Sequence, residues 1–274
     1  RYAEMTDIPV GSGRYISIPK YYKRLDELEE KMKSFATRIR KDQCLDLKPK
    51  VRSKRYIELE GDGKKIYERL KHHALAIVED STISFSNKLT EIIKLHQVCN
   101  GFTKNDDGEI MQLHKSKLNA LDEILEETDG KVIIWAVYRY DIQEIERTLG
   151  EKYGKESVAT YYGDTKDNLR QSIVDRFMDA DDPLRFFVGN PKTGGYGLTL
   201  TSSHTVVYYS NDYSLEVRLQ SEDRAHRIGQ TSKVTYVDLM ADHTIDEKIV
   251  KALNAKIDLA SQVMGEDPKK ILFG

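Results

Sequence analysis

The chain has 274 residues and a formal net charge of −2 at pH 7. This length allows one large or two modest domains with an ample core, and the near-neutral balance excludes a globally basic nucleic-acid-binding domain. Cys44 and Cys99 lack the spacing of a zinc site or a disulfide framework, so we expect reduced thiols and no metal site. Neither a membrane-spanning run nor a signal-peptide core is present, so we expect a cytoplasmic or nuclear protein with no membrane contact.

The first 115 residues are predicted to form a mainly helical region and linker. An amphipathic helix is predicted over residues 21–41, and further helices over residues 64–79 and 85–98, with a short strand over residues 56–59. Residues 103–109 (TKNDDGE) are predicted as an exposed loop. The basic segment Lys48–Arg55 (KPKVRSKR) is either a solvated linker or a phosphate-contacting segment, and its composition favours neither.

Residues 116–274 alternate short apolar strands with helices of 10 to 15 residues, the pattern of a parallel sheet with helices on both faces. Strands are predicted over residues 132–137, 158–162, 184–188, 205–209 and 234–239. Helices are predicted over residues 116–126, 141–149, 166–178, 214–228 and 244–263. Thr244 and Glu247 have the spacing of a capping box at the start of the last helix.

Two arginines and a glutamine share one face of the helix predicted over residues 214–228. Gln220, Arg224 and Arg227 stand at i, i+4 and i+7 in the segment QSEDRAHRIGQ, a spacing that aligns their side chains. Because guanidinium groups fit phosphate oxygens, an aligned pair can bind an anion. The alternative is a solvated helix face on which Arg218 and Glu222 form an ordinary i, i+4 ion pair. The spacing alone leaves both interpretations open.

Two loops follow strands at the edge of the sheet where ligands bind in such folds. Residues 189–198 contain four glycines, which permit close backbone approach to an anion, although a merely flexible loop is the alternative. Residues 163–165 (GDT) place Thr165 as a predicted N-cap. Neither a GxxxxGK[ST] motif nor an acidic Mg²⁺-binding pair after a strand is present, so the arginines have no triphosphate site within these residues. Since the sequence does not begin with Met, we expect a fragment.

The ordered motifs resemble the second RecA-like lobe of the Swi/Snf-related DNA-dependent ATPases of helicase superfamily two. The resemblance rests on the glycine loop continuing as GLTLTSSHTVVYYSNDYS, then QSEDRAHRIGQ and VTYVDLMADHTIDEKI, with LHQVCNG, KSKLNALDEIL, KVIIWAVY and YYGDT before them. It extends from about Lys41 to the end and is similar to the bacterial and bacteriophage branch. Asp212-Tyr213-Ser214 departs from the Trp-Asn-Pro of many eukaryotic members, which argues against a chromatin-specific role.

The resemblance implies roles for individual residues. It makes Arg224 and Arg227 paired arginine fingers for ATP, with Gln220 supporting them. It assigns Gly194, Gly195 and Gly197 to the loop that communicates between nucleotide and DNA. Three further residues correspond to positions near the DNA backbone: Thr165, Lys192 and Thr199. ATP and Mg²⁺ are expected to bind mainly to a first RecA-like lobe, which lies outside this sequence.

The leading hypothesis is therefore the C-terminal motor lobe of an ATP-driven double-stranded DNA translocase or remodeller. On this hypothesis the chain alone does not hydrolyse ATP and binds DNA weakly. A second hypothesis is a catalytically inactive binding module that retains the lobe fold. A third is an RNA helicase lobe of the DEAD-box type. Such lobes usually carry a further arginine three residues after HRIGR, whereas here HRIG is followed by Gln230, and Lys233 stands three residues after that.

Overall fold

The computed structural model describes residues 1–9, 15–36, 44–79, 85–105, 107–194 and 197–264. Ten strands are described, β1 to β10 in chain order: Ala3–Pro9, Tyr15–Tyr22, Val51–Ile57, Phe102–Lys104, Ile110–Gln112, Val132–Trp135, Val158–Tyr161, Phe186–Gly189, Thr205–Tyr208 and Thr235–Ala241. The α-helices of the described residues, α1 to α9, are Leu25–Lys33, Gly61–Glu79, Phe85–Cys99, Ser116–Glu126, Arg139–Tyr153, Asp167–Met178, Pro191–Gly194, Leu215–Glu222 and Ile245–Met264.

The main sheet has six parallel strands in the order β3-β10-β9-β6-β8-β7. Every residue of β6, β8 and β9 is buried, as expected for strands covered on both faces. The five strands predicted after residue 116 are confirmed within two residues at each end. Their apolar runs bury both faces at once, which is why they lack polar alternation.

One face of this sheet carries a continuous apolar core. Its buried members come from strands, helices and the segments around residues 200 and 225: Ile133, Trp135, Tyr161, Phe177, Phe187, Leu200, Val206, Tyr208, Ala225 and Tyr236, among others. Trp135 and Phe187 meet edge to face, with ring centroids 5.9 Å apart. Ala225 is fully buried although it lies between charged residues, so the segment that contains the arginines is anchored in the core.

The chain divides into two compact units, each of which combines separate stretches of the sequence. One unit contains the described residues between 40 and 58 and between 115 and 254, including the six-stranded sheet; the other contains those between 1 and 39, 59 and 114, and 255 and 271. The basic segment therefore belongs to the sheet, because β3 pairs in register with β10 from Val51 to Ile57. This strand begins five residues before the predicted start at Tyr56.

The second unit is less helical than predicted. Strands β1 and β2 form an antiparallel hairpin, so the helix predicted from residue 21 begins only at Leu25. Aromatic and β-branched residues such as Ile18 and Tyr21 favour the strand. The loop predicted over residues 103–109 includes parts of a second hairpin, β4 with β5. The helices predicted over residues 64–79 and 85–98 are confirmed as α2 and α3.

The capping box predicted at the last helix is present in altered form. Thr244 Oγ1 accepts the Asp246 main-chain N–H at 3.2 Å, as an N-cap does. Glu247 Oε1 reaches one residue further back than predicted and accepts the N–H of His243 at 2.7 Å. Helix α9 accordingly begins at Ile245. No helix of the described residues has the length and apolar character needed to cross a membrane.

Candidate functional site

Arg224 and Arg227 converge on a single main-chain oxygen. Each guanidinium donates through Nη1 to the carbonyl oxygen of Leu198, at 3.1 Å in both cases. Leu198 directly follows Gly197, so the two cations meet at the end of the glycine loop. Burial and the neighbouring charge of Arg227 lower the pKa of Arg224. Two partly desolvated like charges that share a neutral acceptor form a site suited to an anion.

The arginines do not lie on a continuous helix, contrary to the prediction over residues 214–228. Helix α8 ends at Glu222, and the residues that follow form turns. The Arg224 side chain folds back so that its Nε donates to the main-chain oxygen of Gln220 at 3.0 Å. The side chain of Gln220 bonds instead to Glu216 Oε1 at 3.0 Å. Gln220 thus supports Arg224 through its backbone, not through its amide group.

Two buried side chains hold the turn that presents the arginines. His226 Nε2 lies 2.9 Å from the main-chain oxygen of Lys48. The amide nitrogen of Gln230 lies 3.2, 2.9 and 3.2 Å from the oxygens of Thr201, Ser203 and Ala225. Gln230 joins the arginine turn to the segment after Leu198. It therefore holds the donating arginines and the accepting oxygen of Leu198 in fixed positions relative to each other. His226 and Gln230 stand in the same motif as the arginines, but their residue types alone predict no anchoring role, because both side chains bond to main-chain oxygens.

The glycine loop packs against Trp135. A Cβ on Gly194 would lie 2.6 Å from two ring atoms of Trp135, so only glycine fits there. Gly197 has a φ of +77°, a conformation that disfavours other residues, although a Cβ on it would meet nothing within 4 Å. Gly195 lies outside the described residues. Gly194 therefore permits close packing of the loop, while the backbone conformation requires glycine at residue 197.

The residues predicted near DNA have other contacts in this structure. The Thr165 hydroxyl donates to Thr160 O and accepts from Tyr162 N, both at 3.0 Å. The predicted N-cap role of Thr165 is wrong, since Lys166 occupies the cap position of α6. Lys192 Nζ lies 2.7 Å from Asp212 Oδ2 and is largely exposed.

Thr199 is half-buried beside the arginine pair, between Leu198 and Leu200. The N–H of Leu200 donates to the main-chain oxygen of Arg224 at 2.9 Å. Both neighbours of Thr199 in the chain therefore contact Arg224. Of the three residues predicted near DNA, Thr199 is the one that these contacts place at the arginine turn.

Known proteins share one domain with this chain and resemble it over most of its length. Residues 116–229 match the model of the helicase conserved C-terminal domain. The curated relatives include an uncharacterized ATP-dependent helicase of Mycoplasma genitalium, 29% identical over 88% of this chain and 23% of its own length. They also include the SWI/SNF chromatin-remodeling complex subunit snf22 of Schizosaccharomyces pombe, 27% identical over 83% of this chain and 14% of its own length. Residues 116–229 thus carry a helicase conserved C-terminal domain, and Swi/Snf-related ATPases are among the relatives of this chain.

Solved structures of the same kind share its fold. The C-terminal part of the Fun30 ATPase domain matches with a TM-score of 0.63 and 21% identity, covering 76% of this chain and 90% of that one. The SWI2/SNF2 ATPase core of Sulfolobus solfataricus in complex with dsDNA matches with a TM-score of 0.60 and 23% identity, covering 90% of this chain and 53% of that one. This chain spans less than a quarter of the length of the curated relatives named here.

A buried ion network joins α8 of this lobe to the basic segment. The Glu222 carboxylate accepts from Arg218 Nε at 2.7 Å, from both terminal nitrogens of Arg52 at 2.7 Å, and from Lys50 Nζ at 3.3 Å. Arg218 also pairs with Asp238. The interpretation of Arg218 and Glu222 as a solvated surface pair is therefore wrong, because both side chains are buried. Lys50 and Arg52 belong neither to a solvated linker nor to a free phosphate-binding segment.

The close approach of the glycine loop to Trp135 predicts the effect of a single methyl group. We expect Gly194→Ala to lower the free energy of unfolding by about 1 to 3 kcal/mol, because overpacking forces the ring or the loop to move. The matched control is Gly163→Ala, since a Cβ at residue 163 meets nothing within 4 Å. Urea denaturation of both variants measures the difference. Equal stability of the two variants would show that the loop does not depend on this contact.

Proposed function

We propose that this chain is the C-terminal motor lobe of an ATP-dependent double-stranded DNA translocase or remodeller. On this proposal Arg224 and Arg227 act as arginine fingers on ATP and Mg²⁺ that are bound mainly by a first RecA-like lobe. The observation that carries the proposal is the convergence of both guanidinium groups on Leu198 O at the end of the glycine loop. The two Mycoplasma relatives support the bacterial or bacteriophage assignment.

The chemistry of the pair suits the transferring phosphoryl group of ATP. Charge-assisted hydrogen bonds to a phosphate oxygen are stronger than bonds to a neutral carbonyl, so an approaching phosphate competes with Leu198 O for both arginines. Leu198 directly follows Gly197, so this exchange reaches the glycine loop, to which Gly194, Gly195 and Gly197 are assigned. The loop thereby couples the nucleotide to the DNA contacts proposed at Thr165, Lys192 and Thr199.

Measurements of ATP hydrolysis test whether turnover requires both lobes. We expect no ATP turnover from the 274-residue chain alone, because its sequence lacks both Walker motifs. We expect turnover from the two-lobe protein, stimulated more by duplex DNA than by single-stranded DNA or RNA. Preferential stimulation by RNA would favour the DEAD-box type of lobe. A two-lobe protein without any turnover would favour the inactive binding module.

A further inference from the structure

A cleft of about 500 Å³ lies where edge strand β3, the end of β10 and the first turns of α9 meet. Its lining residues include none of Leu198, Arg224 and Arg227, the residues of the arginine site. The lining side chains that matter here are Lys54, Tyr56, Met240, Lys248, Lys251 and Asn254. All of them belong to the unit that contains the six-stranded sheet.

The cleft concentrates positive charge on a chain whose net charge is −2. Lys54, Lys248 and Lys251 are exposed, and none forms an ion pair with any residue that the structure describes. Lys248 and Lys251 stand at i and i+3 on α9, so they project from the same side of the helix. Against these three cations the lining offers one carboxylate, that of Glu247. The local charge is thus about +2, and an anion relieves the repulsion among the lysines.

A metal cation is the competing ligand for this region. Ligand atoms of Asp242, His243 and Glu247 lie within 4.8 Å of one another. Both carboxylates already accept the main-chain N–H of His243, Asp242 Oδ1 at 3.1 Å and Glu247 Oε1 at 2.7 Å. The neighbouring ammonium groups further disfavour a cation. The balance of charge therefore selects an anion.

The apolar residues of the cleft indicate which class of anion it binds. Tyr56 is 49% exposed, and Met240 and Val250 lie buried beside it. A flat ring with apolar neighbours suits the sugar of a nucleotide unit, while lysine binds phosphate as a point charge. We propose that this cleft binds the sugar-phosphate backbone of DNA, in addition to the contacts proposed at Thr165, Lys192 and Thr199. This inference rests on the DNA binding of the proposed function.

The salt dependence of DNA binding tests the proposal on the 274-residue chain. The variant is Lys54→Gln/Lys248→Gln/Lys251→Gln, and the matched control is Lys115→Gln/Lys155→Gln/Lys233→Gln, which removes three exposed lysines elsewhere in the same unit. Fluorescence anisotropy follows a labelled DNA duplex between about 50 and 200 mM salt. Since each phosphate contact contributes about 0.9 to the slope of log K against log salt concentration, we expect the cleft variant to reduce that slope by about 2 to 3. The control should retain the wild-type slope.

Replacing the uncharged residue Tyr56 separates the role of its ring from that of the lysine charges. Tyr56→Ala should weaken binding at every salt concentration and leave the slope unchanged, because it removes a packing surface but no cation. Circular dichroism confirms that the variants are folded. This pattern supports the cleft as a site for the whole backbone unit and not for phosphate alone.

Three results would overturn the inference. Equal slopes for the cleft variant and its control, with DNA-stimulated hydrolysis intact in the two-lobe protein, would refute the cleft and leave the motor function standing. Absence of DNA binding by the wild-type chain at low salt, together with unstimulated hydrolysis, would refute both. An oligoglutamate peptide of matched charge that displaces DNA as well as unlabelled duplex does would assign the cleft to acidic peptides.

Discussion

Arg227→Ala is expected to lower DNA-stimulated ATP hydrolysis by the two-lobe protein by about 10³- to 10⁵-fold, the range seen when an arginine finger is removed. Arg227 is half-buried, and its guanidinium donates a hydrogen bond to Leu198 O at 3.1 Å. On the proposed function, alanine removes the charge that stabilises the transferring phosphoryl group, while the buried residues Ala225 and His226 keep the turn anchored. Steady-state hydrolysis with saturating duplex DNA measures the loss.

The matched control is Arg147→Ala on α5, where an exposed arginine pairs with Glu144 and Glu151. We expect this variant to retain the wild-type rate. Arg224→Ala should act in the same direction as Arg227→Ala. Because both arginines serve one group, the double variant should lose less than the product of the two single effects. A wild-type rate in Arg227→Ala would refute the finger assignment.

The sheet could be predicted from the sequence because most of its strands have a recognisable local pattern of apolar residues. Short apolar runs such as Val132–Trp135 and Phe186–Gly189 are buried on both faces, and the helices between them carry amphipathic patterns. The edge strand was placed too late in the chain because its pattern is different. Exposed and half-buried residues dominate Val51–Ile57, and its partner β10 lies about 180 residues away in the sequence. No local pattern specifies such a pairing.

The sequence indicates which residues form the candidate site, but it does not predict how they are arranged. The prediction aligned Arg224 and Arg227 by helical spacing, yet the helix ends at Glu222, and the two side chains meet at the main-chain oxygen of Leu198. A carbonyl acceptor leaves no signature in a sequence. The anchoring by Gln230 likewise uses three main-chain oxygens. Side-chain chemistry can be inferred from residue types, whereas backbone acceptors require the fold.

The ion network around Glu222 is a further feature that spacing could not reveal. An i, i+4 pair on a polar helix is usually at the surface, where it contributes little to stability. Here Arg52 on the distant strand β3 and Lys50 just before that strand pair with Glu222, so the pair is buried and contributes more to stability than a surface pair. The basic segment thus stabilises the helix that precedes the arginine turn.

Glu222→Ala is expected to lower the free energy of unfolding of the chain by about 3 to 5 kcal/mol, since removing one partner of a buried ion pair leaves uncompensated charge. Arg218, Arg52 and Lys50 would then lie together without this carboxylate. The control is Glu216→Ala on the same helix, an exposed residue for which we expect a change of about 0.5 kcal/mol or less. Urea denaturation at neutral pH compares the two. If Glu222→Ala does not fold, Arg52→Met tests the same network from its more exposed partner.

The pH dependence of stability provides an independent test of the network. Burial alone would raise the pKa of Glu222, but Arg218, Arg52 and Lys50 lower it from 4.5 to about 2. A carboxylate whose pKa is lower in the folded state stabilises the fold above its unfolded pKa. This contribution, about 3 kcal/mol for such a shift, is lost as the pH falls from 4.5 toward 2. Wild-type stability should therefore fall more steeply than that of Glu222→Ala in this window, and parallel curves would show that the three cations do not hold Glu222 ionised.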